Sequence, residues 1–546
     1  MSSPERERVS SFCPKARFHA RGRKKHFWLL WTLPIVGLIS LIWFLLRVIP
    51  KPSRATYPCQ RIAMPLASSF VIWLVGLASS AVALRKARGL LRQSRLGWAC
   101  ICFAVAVLAG VISFSDMPEN RSFGEFEFVR AVNPVRLAPV GTGKGIYPGR
   151  VVWAHDPDAT DWDGPGNGHW WQENNTDQAV VNKMMSDAVC ALTSQDTVAA
   201  SWDKLFRYFN QNHGKGSTGY RPGEKILIKV NFVGFVGWSW GGVDPNTYEL
   251  VDKMDYMNTS PQMMIALLGQ LVNDLGLRQS DITIGDPTAF FANQYYKLCH
   301  DKFPNVHYLD CAGKFGRVGA KPSSVRFHWS SEPKNVLPDY VPVSYVEADY
   351  FINMANLKSN WGGGITLCGK NNYGSLIRMP DAPGYYNLHP NIGNPELGIY
   401  RTLVDLMGHP QIGGKTVLYL VDGLYAGRHP KYLTPIKLKM APFNDDWSSS
   451  IFVSQDPVAI DSVGFDFLWT EWDEDPHRSG ADDYLQEAAM ANDPISGTFY
   501  DSDGDGKPLQ NLGVHEHWNN PKDKQYSRNL GRNEGIELIS LTAKPK

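Results

Sequence analysis

Tyr350 to Ser375 reads YFINMANLKSNWGGGITLCGKNNYGS. The apolar Tyr350-Phe351-Ile352 fits a buried strand, and it gives out into Asn353, Asn356 and Lys358. Three glycines follow (Gly362, Gly363, Gly364), and then Gly369-Lys370-Asn371-Asn372-Tyr373-Gly374. Glycine lets a backbone approach a ligand or turn through positive φ, while lysines and amides supply charge and orientation. A strand that opens into such a segment is the most site-like stretch of the chain.

Working outward, short apolar runs recur and each ends in a polar residue. Val151 to Ala154 ends at His155-Asp156, Ile226 to Val230 at Asn231, and Ile282 to Gly285 at Asp286. Val306 to Leu309 ends at Asp310, Tyr350 to Ile352 at Asn353, and Val417 to Val421 at Asp422. These read as buried strands. Between them Gln178–Leu192, Val198–Asn212, Pro261–Leu275 and Leu397–Met407 carry apolar residues at helical spacing, and Thr259-Ser260-Pro261 suits a cap and first turn. The alternation predicts an α/β fold with a mostly parallel, doubly wound-like sheet and insertions. Ligands of such sheets bind outside the carboxyl ends of the strands, where the six polar residues fall. Asp or Asn after a strand is also a common turn former or helix cap.

The 546-residue chain is unevenly charged. Residues 1–123 hold 18 Lys/Arg against 4 Asp/Glu, whereas the remainder holds 37 against 49. The acidic remainder argues against nucleic acid, whose phosphates call for a concentrated basic surface. Eight scattered cysteines contain no C-x-x-C pair, which removes the usual zinc-ribbon, thioredoxin and ferredoxin spacings. Spacing does not decide whether Cys299 and Cys311 pair.

Phe27–Leu46, Leu66–Leu84 and Leu96–Phe114 are uncharged apolar runs, each long enough as a helix to cross about 30 Å of hydrocarbon. Three transmembrane helices are therefore expected ahead of the α/β domain, with the lipid bilayer as partner. Basic residues in the tail (Arg21, Arg23, Lys24, Lys25) and between spans two and three (Arg85, Lys86, Arg88, Arg92, Arg95) predict a multi-pass protein of the cell (inner) membrane. The amino terminus would be cytoplasmic and the large domain extracytoplasmic. The expected divisions are a basic tail 1–26, a three-span region 27–114, a Pro/Gly-rich linker 115–150 and an α/β domain 151–546.

Three local motifs carry chemistry. Gly364 to Asn371 resembles a phosphate loop, but Asn371 replaces the metal-binding Ser/Thr, and Gly364 comes twelve residues after Ile352. Asp501-Ser502-Asp503-Gly504-Asp505-Gly506 reproduces the front of a calcium loop, with Leu512 where the bidentate acid belongs. His515-Glu516-His517 has metal-ligand types, and alternate residues of an extended strand point the same way, but no third ligand is identified. A polar surface turn is its plain alternative.

A set of segments in order carries a resemblance: ILIKVNFVG around Asn231, Asp286 after its strand, INMANLKSN then ITLCGKNNYGS, VLYLVDG, and SQDPVAID from Ser454 to Asp461. Over about residues 225–468 the chain resembles the domain of unknown function 362 family. The resemblance implies no established reaction. Some members add a ferredoxin-like cysteine cluster; this chain lacks one, so no iron–sulfur cluster is expected. Where the family tends to have Lys-Thr-His, this chain has Lys358-Ser359-Asn360.

Two functional readings remain open. In the first, an enzyme acts on an anionic or polyhydroxylated small molecule with cation assistance. Lys358 and Lys370 neutralise charge, and Asp286 and Asp422 act as acid/base groups or cation ligands. Asn231, Asn353, Asn371, Asn372, Gly363 and Gly364 bind the ligand, and Asp501, Asp503 and Asp505 take calcium. In the second, a non-catalytic module presents the same cleft to a cell-surface partner, aided by Trp238 and Trp240 beside Gly241-Gly242.

Overall fold

The computed structural model describes residues 138–543 apart from 237–240, 252–254, 332–334, 361–362, 380–382, 389–397, 430–433 and 473–477, together with isolated positions between 38 and 90. The chain forms two compact units, Met1–Val129 and Arg130–Lys546.

In the first unit the described positions are helical, but among the described residues no helix is long and apolar enough to cross a membrane. The runs 27–46, 66–84 and 96–114 fall for the most part outside the described residues. This corrects the expectation of three transmembrane helices. The bilayer as partner, the multi-pass membrane location and the cytoplasmic and extracytoplasmic assignments rested on those helices and are withdrawn with them. Apolar length is only one requirement for spanning; a continuous helix that satisfies its own backbone is the other.

The second unit is mixed α/β with three sheets. Its strands are β1 (Val140–Gly141), β2 (Arg150–His155), β3 (Ile226–Lys229), β4 (Ile282–Gly285), β5 (His307–Asp310), β6 (Val318–Gly319), β7 (Pro322–Arg326), β8 (Asp339–Pro342), β9 (Tyr350–Asn360), β10 (Gly364–Thr366), β11 (Ile377–Arg378), β12 (Thr416–His429), β13 (Ser450–Ser454), β14 (Val514–His515) and β15 (Glu537–Thr542). Its helices are α1 (Gln178–Thr193), α2 (Val198–Asn212), α3 (Pro261–Gly269), α4 (Asn293–His300), α5 (Val343–Glu347), α6 (Cys368–Asn371), α7 (Thr402–Gly408), α8 (Pro457–Glu471) and α9 (Arg478–Ala489).

Ten strands form the main sheet in the order β15-β2-β13-β12-β9-β3-β4-β5-β6, with β10 turned back on β9. β13 runs antiparallel to both of its neighbours, and β10 is antiparallel to β9. Two small sheets, β1-β14 and β11-β8-β7, lie apart from it. The expected fold class is corrected accordingly, from one doubly wound-like sheet behind a membrane bundle to a mixed, multi-sheet α/β unit. Hydrophobic runs mark where strands lie, whereas partner and direction depend on contacts distant in sequence.

Every residue of β9 is buried. Its side chains alternate, as a pleat requires: Ile352 and Met354 join the core that includes residues of α1–α4, and Phe351 and Ala355 join the core that includes residues of α7–α9. Helix starts are chemically marked. Asp177 accepts the amides of Ala179 and Val180, Ser260 that of Met263 ahead of Pro261, and Asp456 those of Val458 and Ala459. Two expected boundaries move. The helix expected from Leu397 begins at Thr402, and α3 passes at Gln270 into a π-helical turn ending at Asp274.

A larger difference lies in β9, which does not stop at Ile352 but continues to Asn360. The sequence puts the strand's end at Asn353, with Asn356 and Lys358 beyond it. Instead they are buried in a continuing strand, and burial of such groups requires hydrogen-bond partners.

Candidate functional site

The partners lie where β3 and β4 end beside the middle of β9 and β12, which continue past Asn353 and Asp422 to Asn360 and His429. Lys229, the last residue of β3, is in register with Gly285 of β4 and Asn353 of β9. Its ammonium donates to Asp286 Oδ2 at 2.8 Å, to Val230 O at 2.5 Å and to Asn371 Oδ1 at 3.2 Å. Asp286 also accepts from the Thr288 amide and hydroxyl at 3.0 and 2.8 Å, and from the Phe232 amide at 3.3 Å. Gly374 closes over this pair: a Cβ there would lie 3.1 Å from both Asp286 Oδ1 and Thr288 Oγ1.

Asn371, delivered by α6, joins the strand ends. Its amide donates to Asn353 Oδ1 at 2.8 Å, while its carbonyl oxygen accepts from Asn231 Nδ2 at 3.2 Å. Asn353 in turn donates to Cys368 O and to Asn372 Oδ1. The short helix is moored from its other side, where Asp461 accepts the amides of Cys368 and Gly369 at 2.8 and 2.7 Å and the Tyr484 hydroxyl at 2.9 Å.

Lys358 points from the other face of β9 and donates to Asn231 Oδ1 at 2.9 Å and to Met257 O. Its amine lies 5.8 Å from the Tyr256 ring centroid. Asn231, just past β3, therefore bonds to Lys358 on one side and Asn371 on the other, so the network wraps the edge of the sheet. Burial drives the Lys358 pKa well below the ordinary lysine value, and the neighbouring Lys370 charge adds to this. Asp422 accepts from the Ser260 amide at 2.7 Å and the Leu424 amide at 3.1 Å. Burial raises its pKa to about 6, against the opposing effect of those bonds and of Lys358.

Lys370 is half-buried, and among the described residues it makes no hydrogen bond or ion pair; its amine lies 5.5 Å from the Tyr373 ring centroid. Desolvation lowers its pKa to about 8. Nearby, Asn356 Oδ1, Asn258 Nδ2, Ser359 Oγ and Thr366 Oγ1 are buried without a partner among the described residues.

The fold thus gathers Asn231, Asp286, Asn353, Lys358, Asn371, Asn372 and Asp422 at one edge. Gly363 and Gly364 instead make the turn between β9 and β10, with the Gly363 amide on Asn360 O and Gly364 at φ +77°. The lysine paired with Asp286 is Lys229, which sequence reading passed over although it interrupts the apolar run ILIKV. Asp461, quoted above only as part of a motif, holds the helix that carries Lys370. Asp501, Asp503 and Asp505 offer oxygens within 4.8 Å of one another. Asp501 already accepts the amides of Gly504, Asp505 and Gly506, and Lys507 pairs with Asp505.

The class defined by this geometry is an α/β protein with an amide- and lysine-rich polar network where β3 and β4 of its main sheet end beside β9 and β12. Residues 242–466 match the family model described as Domain of unknown function (DUF362). The match supports a domain of that kind across β4, β9, α6 and β12, and begins after Lys229 and Asn231. No curated protein and no solved structure matches the chain.

Proposed function

We propose that the sheet edge is the site of an enzyme acting on an anionic or polyhydroxylated small molecule. The observation that carries this reading is Lys370, a half-buried lysine without a hydrogen bond or ion pair among the described residues, beside the buried Lys358. A structural lysine in such a place is ordinarily paired; one without an anion is suited to receive one from a ligand. Lys370, lowered to about 8, and Asp422, raised to about 6, bracket neutral pH and suit proton transfer there. Asn231, Asn353, Asn371 and Asn372 act by orientation, and Asp286 positions Lys229. In the same reading Asp501, Asp503 and Asp505 bind calcium weakly, supported by the closeness of their oxygens; a melting temperature unmoved by millimolar calcium rejects that part.

The test is a thermal-shift panel of phosphate-, carboxylate- and polyol-bearing compounds on the full chain and on Lys370→Met. A compound that stabilises the wild type but not the variant is the expected result. No stabilising compound, or equal stabilisation of both proteins, overturns the reading. Turnover of the stabilising compound separates an enzyme from a binding module.

A further inference from the structure

The His515-Glu516-His517 motif is not a surface turn. His515 ends β14 and His517 follows in extended chain, so both rings face one side while Glu516 faces the other and accepts the amides of Ser527 and Ile536 at 2.9 and 3.0 Å. The two Nε2 atoms converge on a single oxygen of Asp482, from α9, at 3.1 and 2.9 Å. This is the third ligand that sequence spacing could not supply, because it lies on a helix more than thirty residues earlier.

The far side of each ring fixes where its hydrogen sits. Ser462 donates its only hydroxyl hydrogen to Val458 O at 2.7 Å, so its oxygen must accept from His515 Nδ1–H at 2.9 Å. His517 Nδ1 lies 2.6 Å from Asp466 Oδ1, and the other Asp466 oxygen accepts from the Trp518 amide and the Tyr526 hydroxyl. A neutral imidazole with its hydrogen on Nδ1 presents a lone pair at Nε2. When both rings are neutral, two such lone pairs and a carboxylate oxygen, all within 4.8 Å of one another, face each other, and a metal ion or protons on Nε2 must supply positive charge between them.

A carboxylate or hydroxyl on the outer nitrogen is the usual support of a metal-bound histidine. Ligand atoms about 3 Å apart suit neighbouring positions around an ion with bonds of about 2.1 Å. The Asp482 and His517 side chains are 23% and 19% exposed, so water can reach the remaining positions. Two imidazoles and one carboxylate with open positions are the donor set of non-haem iron and of catalytic zinc.

We propose that Asp482, His515 and His517 bind one divalent first-row transition metal ion, with Ser462 and Asp466 orienting the two rings. The site is independent of the sheet-edge reading. The test strips the full chain with chelator and titrates it with Co²⁺, followed by its d–d absorption, and with Zn²⁺, followed by metal analysis after gel filtration. One equivalent is expected, undisturbed by excess calcium, and weakened at least about tenfold in His515→Ala and in Asp482→Asn. If the alanine variant does not fold, the nearly isosteric asparagine variant decides. A wild type that retains neither ion at micromolar concentration overturns the proposal and leaves a protonated His517 bridging Asp466 and Asp482. Affinity unchanged in Asp482→Asn overturns it as well.

Discussion

Lys229 bonds to Asn371, the residue after Lys370, yet the two lysines are held in opposite ways. Lys229 carries a buried carboxylate partner at 2.8 Å, so Lys229→Met strands Asp286 and is expected to destabilise the domain by about 3–5 kcal/mol in urea unfolding. Lys370 has no such partner among the described residues, and Lys370→Met is expected to leave stability within about 1 kcal/mol. Equal losses in the two variants would remove the distinction on which the functional reading rests. At this scale the sequence was partly legible. Asn231, Asp286, Asn353 and Asp422 were findable because each follows an apolar run. Lys229 was not, because a lysine inside ILIKV shows no partner until Asp286, 57 residues on, is brought beside it.

The element that matters most to the site is also among the shortest. α6 has four residues, too few to hold themselves as a helix in water, and two of its amides rest on Asp461 of α8. Asp461→Ala leaves those buried amides unpaired and is expected to cost about 2–4 kcal/mol. It should also abolish the ligand-induced shift, since α6 carries both Lys370 and Asn371. A variant that is destabilised yet keeps its full ligand shift would place the binding groups elsewhere. The position of α6 could be read from Gly369-Lys370-Asn371, but its support could not, since nothing in DPVAID declares which amides its second aspartate will meet. Likewise the length of β9 was hidden, because polar residues in a strand look like its end unless their partners are known.

Across the whole molecule, burial raises Asp405, Asp422 and Asp461 to about 6 and Asp456 to about 7. Between the ordinary aspartate value and these, the folded state holds more protons than the unfolded one, so stability falls as pH rises through that window. His155 and His409, lowered by burial, act in the opposite sense below the ordinary histidine value, but they are fewer. The melting temperature is therefore expected to be higher at pH 5 than at pH 7; a rise over that interval would show that the carboxylates are solvated. Strand and helix positions were largely readable from apolar spacing, whereas the three-sheet arrangement was not, and the apolar amino-terminal runs predicted spans that no helix among the described residues is long and apolar enough to make. One further consequence follows from the pairing of β2, which lies between β13 and β15. Ser454 meets Arg150 across 304 residues of chain, so during vectorial synthesis the RVVWAH segment emerges long before either neighbour exists. Both of its sheet edges then stay open until β13 and β15 are made, and closing such distant pairs is slow. The newborn chain must therefore keep an adhesive strand from foreign contacts for most of its own translation.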